Sequence, residues 1–360
     1  MVANIELFDI YIFLVTLFKG VGAEASDKLY ILAFFVGALA IFLKLVKEKF
    51  SKNELKKVLF ILIIGGLDFI LGKSTMFLFT AIGLAGLKNV NENRIINIVF
   101  WTRLFSFLLM IFLSTLGFIQ DKIYLFYRDN HFISRHTFGY GHPNQTQSAL
   151  TILIILAIYL FNKKFNIIHY SVMFIVNYCL YSFTFSRTGF FIGVLCIILG
   201  VVQKNDKLGE IFARLFKNSY FWAVAVTLFI GLFYNVIPQL KTLDTFFTGR
   251  LAYNNTLLTN FVPPLIGSSK YNEYVNIDNG FISLMYQGGI LAFCWISYYI
   301  IKLMENFYKQ KKFKELFFLT SFIIYGMTES FFPNIAVNIS LIFIGRLMFE
   351  NKNDKGFENV

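Results

Sequence analysis

The chain has 360 residues, of which 57% are hydrophobic, 19% aromatic and 15% charged. A soluble domain carries about 25% charged residues, so a large water-soluble fold is excluded. The formal net charge of +12 does not point to nucleic acid, because the basic residues are spread over short segments between apolar runs, as the positive-inside rule expects.

Apolar runs near bilayer length recur along the chain. In order they cover residues 5–18, 29–46, 57–71, 74–88, 96–119, 145–161, 167–185, 188–202, 219–238, 280–301, 315–330 and 334–349. The expected fold is all-α: a polytopic integral membrane helix bundle of about 12 spans, forming one membrane domain over residues 1–360. The 57–88 block reads either as two short helices broken at "LGKST" or as one kinked helix. The first run carries Glu6 and Asp9 and no early Lys or Arg, so no cleavable signal is expected, although Ala23-Glu24-Ala25 resembles a cleavage site. Cys179, Cys196 and Cys294 all lie in apolar runs. Their spacing offers neither a disulfide framework nor a metal site, and no metal or cofactor is expected. No internal repeat or inverted half is visible.

Lysine and arginine set the expected topology. Alternate loops at 44–57, 88–94, 162–166, 203–218 and 302–314, with the C-terminal end, hold 22 of the 33 basic residues. The opposite side holds ten, and Arg103 sits inside a span. The basic-rich side is cytoplasmic by rule, which puts both termini inside and makes the inner loops tight basic turns. All five prolines then fall on the outer side. So do the two longest loops, 120–144 and 239–279, and irregular backbone near a bilayer usually lines a cavity. The outer side is therefore the expected functional side.

Five outer segments carry candidate chemistry. In "FSRTGFF", Arg187 sits at a turn between two apolar runs. It reads either as a snorkelling anchor or as the ligand of an anion. A phosphate suits the planar guanidinium fork. Arg250 follows Thr248-Gly249 in "TGR", a turn into a short interfacial helix. In "HFISRHTFGYGHPNQTQ", Arg135, His136 and His142 are interleaved with aromatics. That mixture suits either an interfacial belt or sugar rings and phosphates. There Pro143 starts a span and Asn144 can satisfy backbone groups. In "NIDNGFISLMYQGGI", Asp278 and Asn279 read as helix caps, or Asp278 as a general base. Gly288-Gly289 would allow close helix packing. Glu329, at a helix end, needs a cation, and one of the arginines is its natural partner. No nucleotide-binding glycine pattern or hydrolase motif occurs in a supporting context.

Taken in order, "SRTG", "TGR", "DNGFISLMYQGGI" and a late "TES…PN" resemble the O-antigen polymerase and O-antigen ligase superfamily. The "GHPN" segment is similar to Gram-positive polymerases of capsule and exopolysaccharide. The resemblance covers residues 135 to 350. It implies a multi-helix bundle in a bacterial plasma membrane, with residues 239–279 forming part of an outer active site. The implied substrate is an undecaprenyl-diphosphate-linked oligosaccharide repeat. The growing chain would pass from its lipid diphosphate to an acceptor sugar hydroxyl, without metal or nucleotide sugar. Arg187 and Arg250 match the arginines implied to hold the diphosphate. Arg135, His142, Asn144, Asn279 and Glu329 are expected to contact substrate. Implied partners are membrane lipid, a flippase and a chain-length regulator of the same pathway, and not nucleic acid. Ligases of the superfamily carry a histidine where this chain has Asp278, which favours polymerase. Asp278 as base or as cap, and His142 as an alternative base, stay open. Two rival readings are a ligase-like glycan transferase and a transporter or flippase of lipid-linked oligosaccharide. The second would want charges near the midplane of several spans, and Arg103 is the clearest one here.

Overall fold

The computed structural model describes residues 6–23, 27–128 and 131–349. Glu24 and Ala25, and the counted Lys352 and Lys355, lie outside the described residues. In chain order the helices are α1 (Leu7–Gly20), α2 (Lys28–Lys47), α3 (Lys52–Ile70), α4 (Met76–Ala85) and α5 (Glu92–Thr115). An antiparallel hairpin follows, β1 (Ile123–Arg128) and β2 (His131–His136). Then come α6 (Pro143–Phe161), α7 (Ile167–Thr184), α8 (Arg187–Val202), α9 (Asp206–Phe216) and α10 (Ser219–Phe233). The last are α11 (Pro238–Phe247), α12 (Arg250–Asn260), α13 (Gly280–Gln287), α14 (Gly289–Lys309), α15 (Phe313–Gly326) and α16 (Gly345–Met348).

The protein is all-α apart from that hairpin. Among the described residues, five helices are long and apolar enough to cross a membrane, or six if α9 and α10, bent by 45°, count as one span. Their exposed surface is apolar too: only 22% of the apolar window of α7 is buried. On α5, Trp101, Phe105, Leu108, Phe112 and Leu116 are all exposed. They recur every three or four residues, so they form one stripe along the helix. Water would penalise such a face, whereas lipid would not.

Most expected spans coincide with helices. The 57–88 block is two helices broken at Leu71–Thr75, the first of the two readings the sequence offered. Three details differ. The span expected at 280–301 is split between α13 and α14, because Gly289 takes a left-handed φ of +78°. The last, 334–349, is turns, a 3₁₀ segment at Ile339–Ile344 and the four-residue α16. The loop 203–218, expected as a tight turn on the inner side, holds α9 instead.

Close contacts group the chain into two compact units. The first contains Asp9–Gly37 and Asn91–Phe212; the second contains Glu6–Phe8, Ala38–Val90 and residues 213–349. In the first, α6 packs against α5, α7 and α8. A polar seam runs through that packing. Thr184 Oγ1 donates to Gln147 Oε1 at 2.9 Å, Gln147 Nε2 to Asn177 Oδ1 at 2.7 Å, and Asn177 Nδ2 to the Phe190 carbonyl at 3.0 Å. Every member is paired, as buried amides require. Asp9 at the start of α1 meets Arg94 in the first turn of α5.

In the second unit α10 packs on α12, α14 and α15, and α3 on α4. Ser51 and Glu54 form a capping box that opens α3. Its other end is held by the loop between α12 and α13: Gly267 N–H donates to the Asp68 carboxylate at 2.8 Å, and Ser269 N–H to the Gly72 carbonyl at 2.8 Å. The same loop reaches the start of α14, where Ile290 N–H donates to the Pro264 carbonyl at 2.9 Å. Gly288-Gly289 was expected to admit a neighbouring helix. It admits this loop instead, because a Cβ on Gly289 would lie 2.5 Å from Gly267 N.

A Cβ on Gly72 would lie 1.8 Å from the Gly267 carbonyl oxygen, where backbone meets backbone and no side chain can yield. Gly72→Ala is expected to destabilise the fold by about 1–3 kcal/mol or more. Gly66→Ala, in the interior of α3 with nothing within 4 Å of its added carbon, is expected to stabilise by up to about 1 kcal/mol. Thermal unfolding of both variants in detergent checks this, and equal midpoints would refute the tight crossing.

Candidate functional site

Two clusters of the expected residues form, one within each unit. In the first unit Phe185 ends α7 in the left-handed region, with φ 48° and ψ 30°. Ser186 then turns the chain, and Arg187 is the first residue of α8. The turn leaves Arg187 half-buried. A helix start already carries partial positive charge, so a cation there is unfavourable in itself and the spot attracts anions. The side chain of Arg135 is buried nearby in the chain's packing. Its Nε donates to the Thr184 carbonyl at 2.7 Å and its Nη2 to Asn144 Oδ1 at 2.6 Å. Arg135 thus ties β2 to the end of α7, one turn before Arg187.

Asn144 was expected to satisfy the open backbone of α6. The cap is His142 instead, whose Nδ1 accepts from Asn144 N–H at 3.2 Å. With Nδ1 accepting, a neutral His142 carries its proton on Nε2, so neither ring nitrogen is available as a base.

In the second unit three residues far apart in sequence meet. Arg250 Nε lies 3.2 Å from Asp278 Oδ2, and its Nη1 lies 3.2 Å from Glu329 Oε1. Nη1 also donates to the Thr328 carbonyl. Arg250 is buried, and the Asp278 side chain is 38% exposed. Arg250 opens α12 after Thr248 and Gly249, both left-handed. Asn279 caps α13: its Oδ1 accepts from Phe281 N–H at 2.9 Å and Ile282 N–H at 3.2 Å, and its Nδ2 donates to the Met327 carbonyl at 2.6 Å. Asn279 was expected to contact substrate; the structure commits its amide to backbone. Asp278, one residue earlier, is the side chain left facing Arg250.

No family model, curated protein or solved structure matches this chain.

The second cluster has an uneven charge balance. Arg250 faces two carboxylates, which outweigh the burial that works against its charge and hold it cationic. Burial pushes Glu329 up to about 6, against the pull of Arg250. Burial raises Asp278 as well, and Arg250 offsets part of that. All three lie on loops or at a helix start, outside the candidate spans. A raised, half-exposed carboxylate held in place by a guanidinium is suited to accept a proton from a hydroxyl. Among the described residues no group of His, Cys, Asp and Glu could hold a metal ion.

The sequence reading missed Asp244. Its carboxylate accepts from Leu251 N–H at 2.9 Å, Ala252 N–H at 3.1 Å and the Tyr234 hydroxyl at 3.0 Å. It caps α12 from six residues upstream and so positions Arg250. A hint was there: an acid shortly before a "TGR" turn. Thr184, Gln147 and Asn177 were missed too, being ordinary polar residues inside apolar runs.

Glu329 gives a pH prediction. Its folded pKa of about 6 lies above the ordinary 4.5, so ionised Glu329 disfavours the fold above about pH 6 and ceases to do so as the pH falls to 4.5. Glu329→Gln removes that titration. Wild type should therefore gain stability relative to Glu329→Gln between pH 6 and 4.5. Unfolding midpoints across that range check it, and a constant or opposite difference refutes it.

Proposed function

We propose that the chain is a polymerase of lipid-diphosphate-linked oligosaccharide repeats, working at the outer face of a bacterial plasma membrane with both termini inside and about 12 chain segments entering the bilayer. The observation that carries this reading is the Arg250–Asp278–Glu329 cluster. It joins three of the sequence motifs, with two carboxylates beside one guanidinium. The resemblance of those motifs to the polymerase and ligase superfamily supports it.

In this reading Asp278 takes the proton of an acceptor sugar hydroxyl. The oxygen attacks the anomeric carbon of the growing chain, and the bond from that carbon to the lipid diphosphate breaks. The leaving diphosphate is stabilised by cations, which lowers the barrier where negative charge develops. Arg187, taken within its own unit, suits an anion, since the dipole of α8 adds to its charge. Arg250 already carries two carboxylates, so it contributes chiefly by holding Asp278. Arg135 supports Arg187, His142 and Asn279 shape their helix starts, and Asn144 holds Arg135. The pathway partners are a flippase that delivers the repeat and a regulator of chain length.

The test compares surface glycan from cells expressing wild type, Arg187→Ala, Asp278→Asn and Arg250→Ala at matched protein level. Expected is a single repeat unit in place of long chains for all three variants. Long chains in all three would refute the reading. Full-length chains trapped on the lipid carrier would indicate a ligase. Purified protein that moves lipid-linked repeats across liposomes without lengthening them would indicate a transporter.

A further inference from the structure

The β1–β2 hairpin presents its more apolar face outward. Strand residues directly opposite one another share a face. One face holds the Tyr124–Arg135 and Phe126–Ile133 pairs. Arg135 and Ile133 are buried, so this face is the one packed on protein. The other face holds Ile123–His136, Leu125–Ser134 and Tyr127–Phe132. There Ile123 is 55% exposed, Leu125 73%, Tyr127 60% and Phe132 72%. A hairpin with one face in water puts polar residues on that face. This one does the reverse, and a two-stranded hairpin in water is marginal even without that burden.

The hairpin is nevertheless held firmly at its base. The Asp121 carboxylate accepts from Thr137 N–H and Phe138 N–H, both at 2.9 Å, and pairs with His136 Nδ1 at 2.6 Å. Lys122 N–H donates to Thr137 Oγ1 at 3.0 Å, and Thr146 Oγ1 in α6 donates to the Thr137 carbonyl. The face is therefore presented by a rigid base. It also continues other apolar surface. The exposed stripe of α5 ends at Leu116, followed by exposed Phe118, and β1 begins five residues later. α6, a candidate span, starts seven residues after β2.

We propose that this hairpin is a membrane-inserted blade: its Ile123, Leu125, Tyr127 and Phe132 face lies in the headgroup and acyl boundary of the leaflet where α5 ends and α6 begins. Tethering to two candidate spans fixes the hairpin near that boundary. Its mix of aliphatic and aromatic side chains matches the chemistry of the boundary, where tyrosine and other aromatics settle. The inference rests on the membrane character of the chain and is independent of any reaction.

The test uses single nitroxide labels at Leu125→Cys and Phe132→Cys. The exposed Cys179 and Cys294 are replaced by Ser, and Cys196 is buried. The full chain is placed in nanodiscs of phosphatidylcholine and phosphatidylglycerol. Phe112→Cys on the α5 stripe is the lipid reference, and Lys52→Cys is the aqueous one. Relaxation is read with oxygen, which partitions into lipid, and with a water-soluble nickel chelate. Expected is that both hairpin labels respond more to oxygen than to the chelate, as at residue 112. A stronger response to the chelate at either label overturns the proposal. Protection from both reagents overturns it equally, and indicates a face covered by a second copy or a glycan. If either variant aggregates, Ile123→Cys on the same face replaces it.

Discussion

A buried guanidinium must be answered, and much of the second unit is arranged around answering one. A lone ion removed from water costs several kcal/mol even after relaxation. Arg250 is answered by Asp278, Glu329 and the Thr328 carbonyl. Those partners come from the loop before α13 and the turns after α15. Holding them requires Asn279 to fix the start of α13 and Asp244 to fix the start of α12. A chain with only 15% charged residues has few ions to spare for such an arrangement, and this one uses three in one place.

The buried arginines of the two units are answered by different groups. Arg135 donates to the Thr184 carbonyl and to Asn144 Oδ1. Around Arg250 the answering groups are carboxylates, so that site holds a surplus of acid whenever Glu329 is ionised.

What could be read from the sequence followed physical locality. Most apolar runs of 14 to 24 residues appear as helices, the run 334–349 being the exception, because apolar composition and helix geometry both act along the chain. Arg187 and Arg250 stood out because a cation amid apolar residues needs a reason. The roles of Asp278 and Asn279 could not be divided from sequence, since either can cap; the structure gives the cap to Asn279. The hairpin was hidden because "IYLFYR" is apolar at nearly every position, and a strand shows its period of two only when its faces differ. The pairing of residues 250, 278 and 329 is tertiary, and no local pattern encodes it. Asp244 was missed for a related reason: the N–H groups that donate to it lie across a turn built on the left-handed Thr248, which a non-glycine residue seldom signals.

The break at Gly288-Gly289 has a consequence for length. A continuous helix from Gly280 to Lys309 would measure about 45 Å, well beyond a hydrocarbon core of about 30 Å. Divided as it is, α14 alone measures about 31 Å over its 21 residues. The break thus separates a segment matched to bilayer thickness from one matched to the Asn279 cap. The backbone groups that the break exposes are taken up by the Pro264 and Leu265 carbonyls of the loop after α12. That loop therefore fixes the residue at which α14, a candidate span, begins.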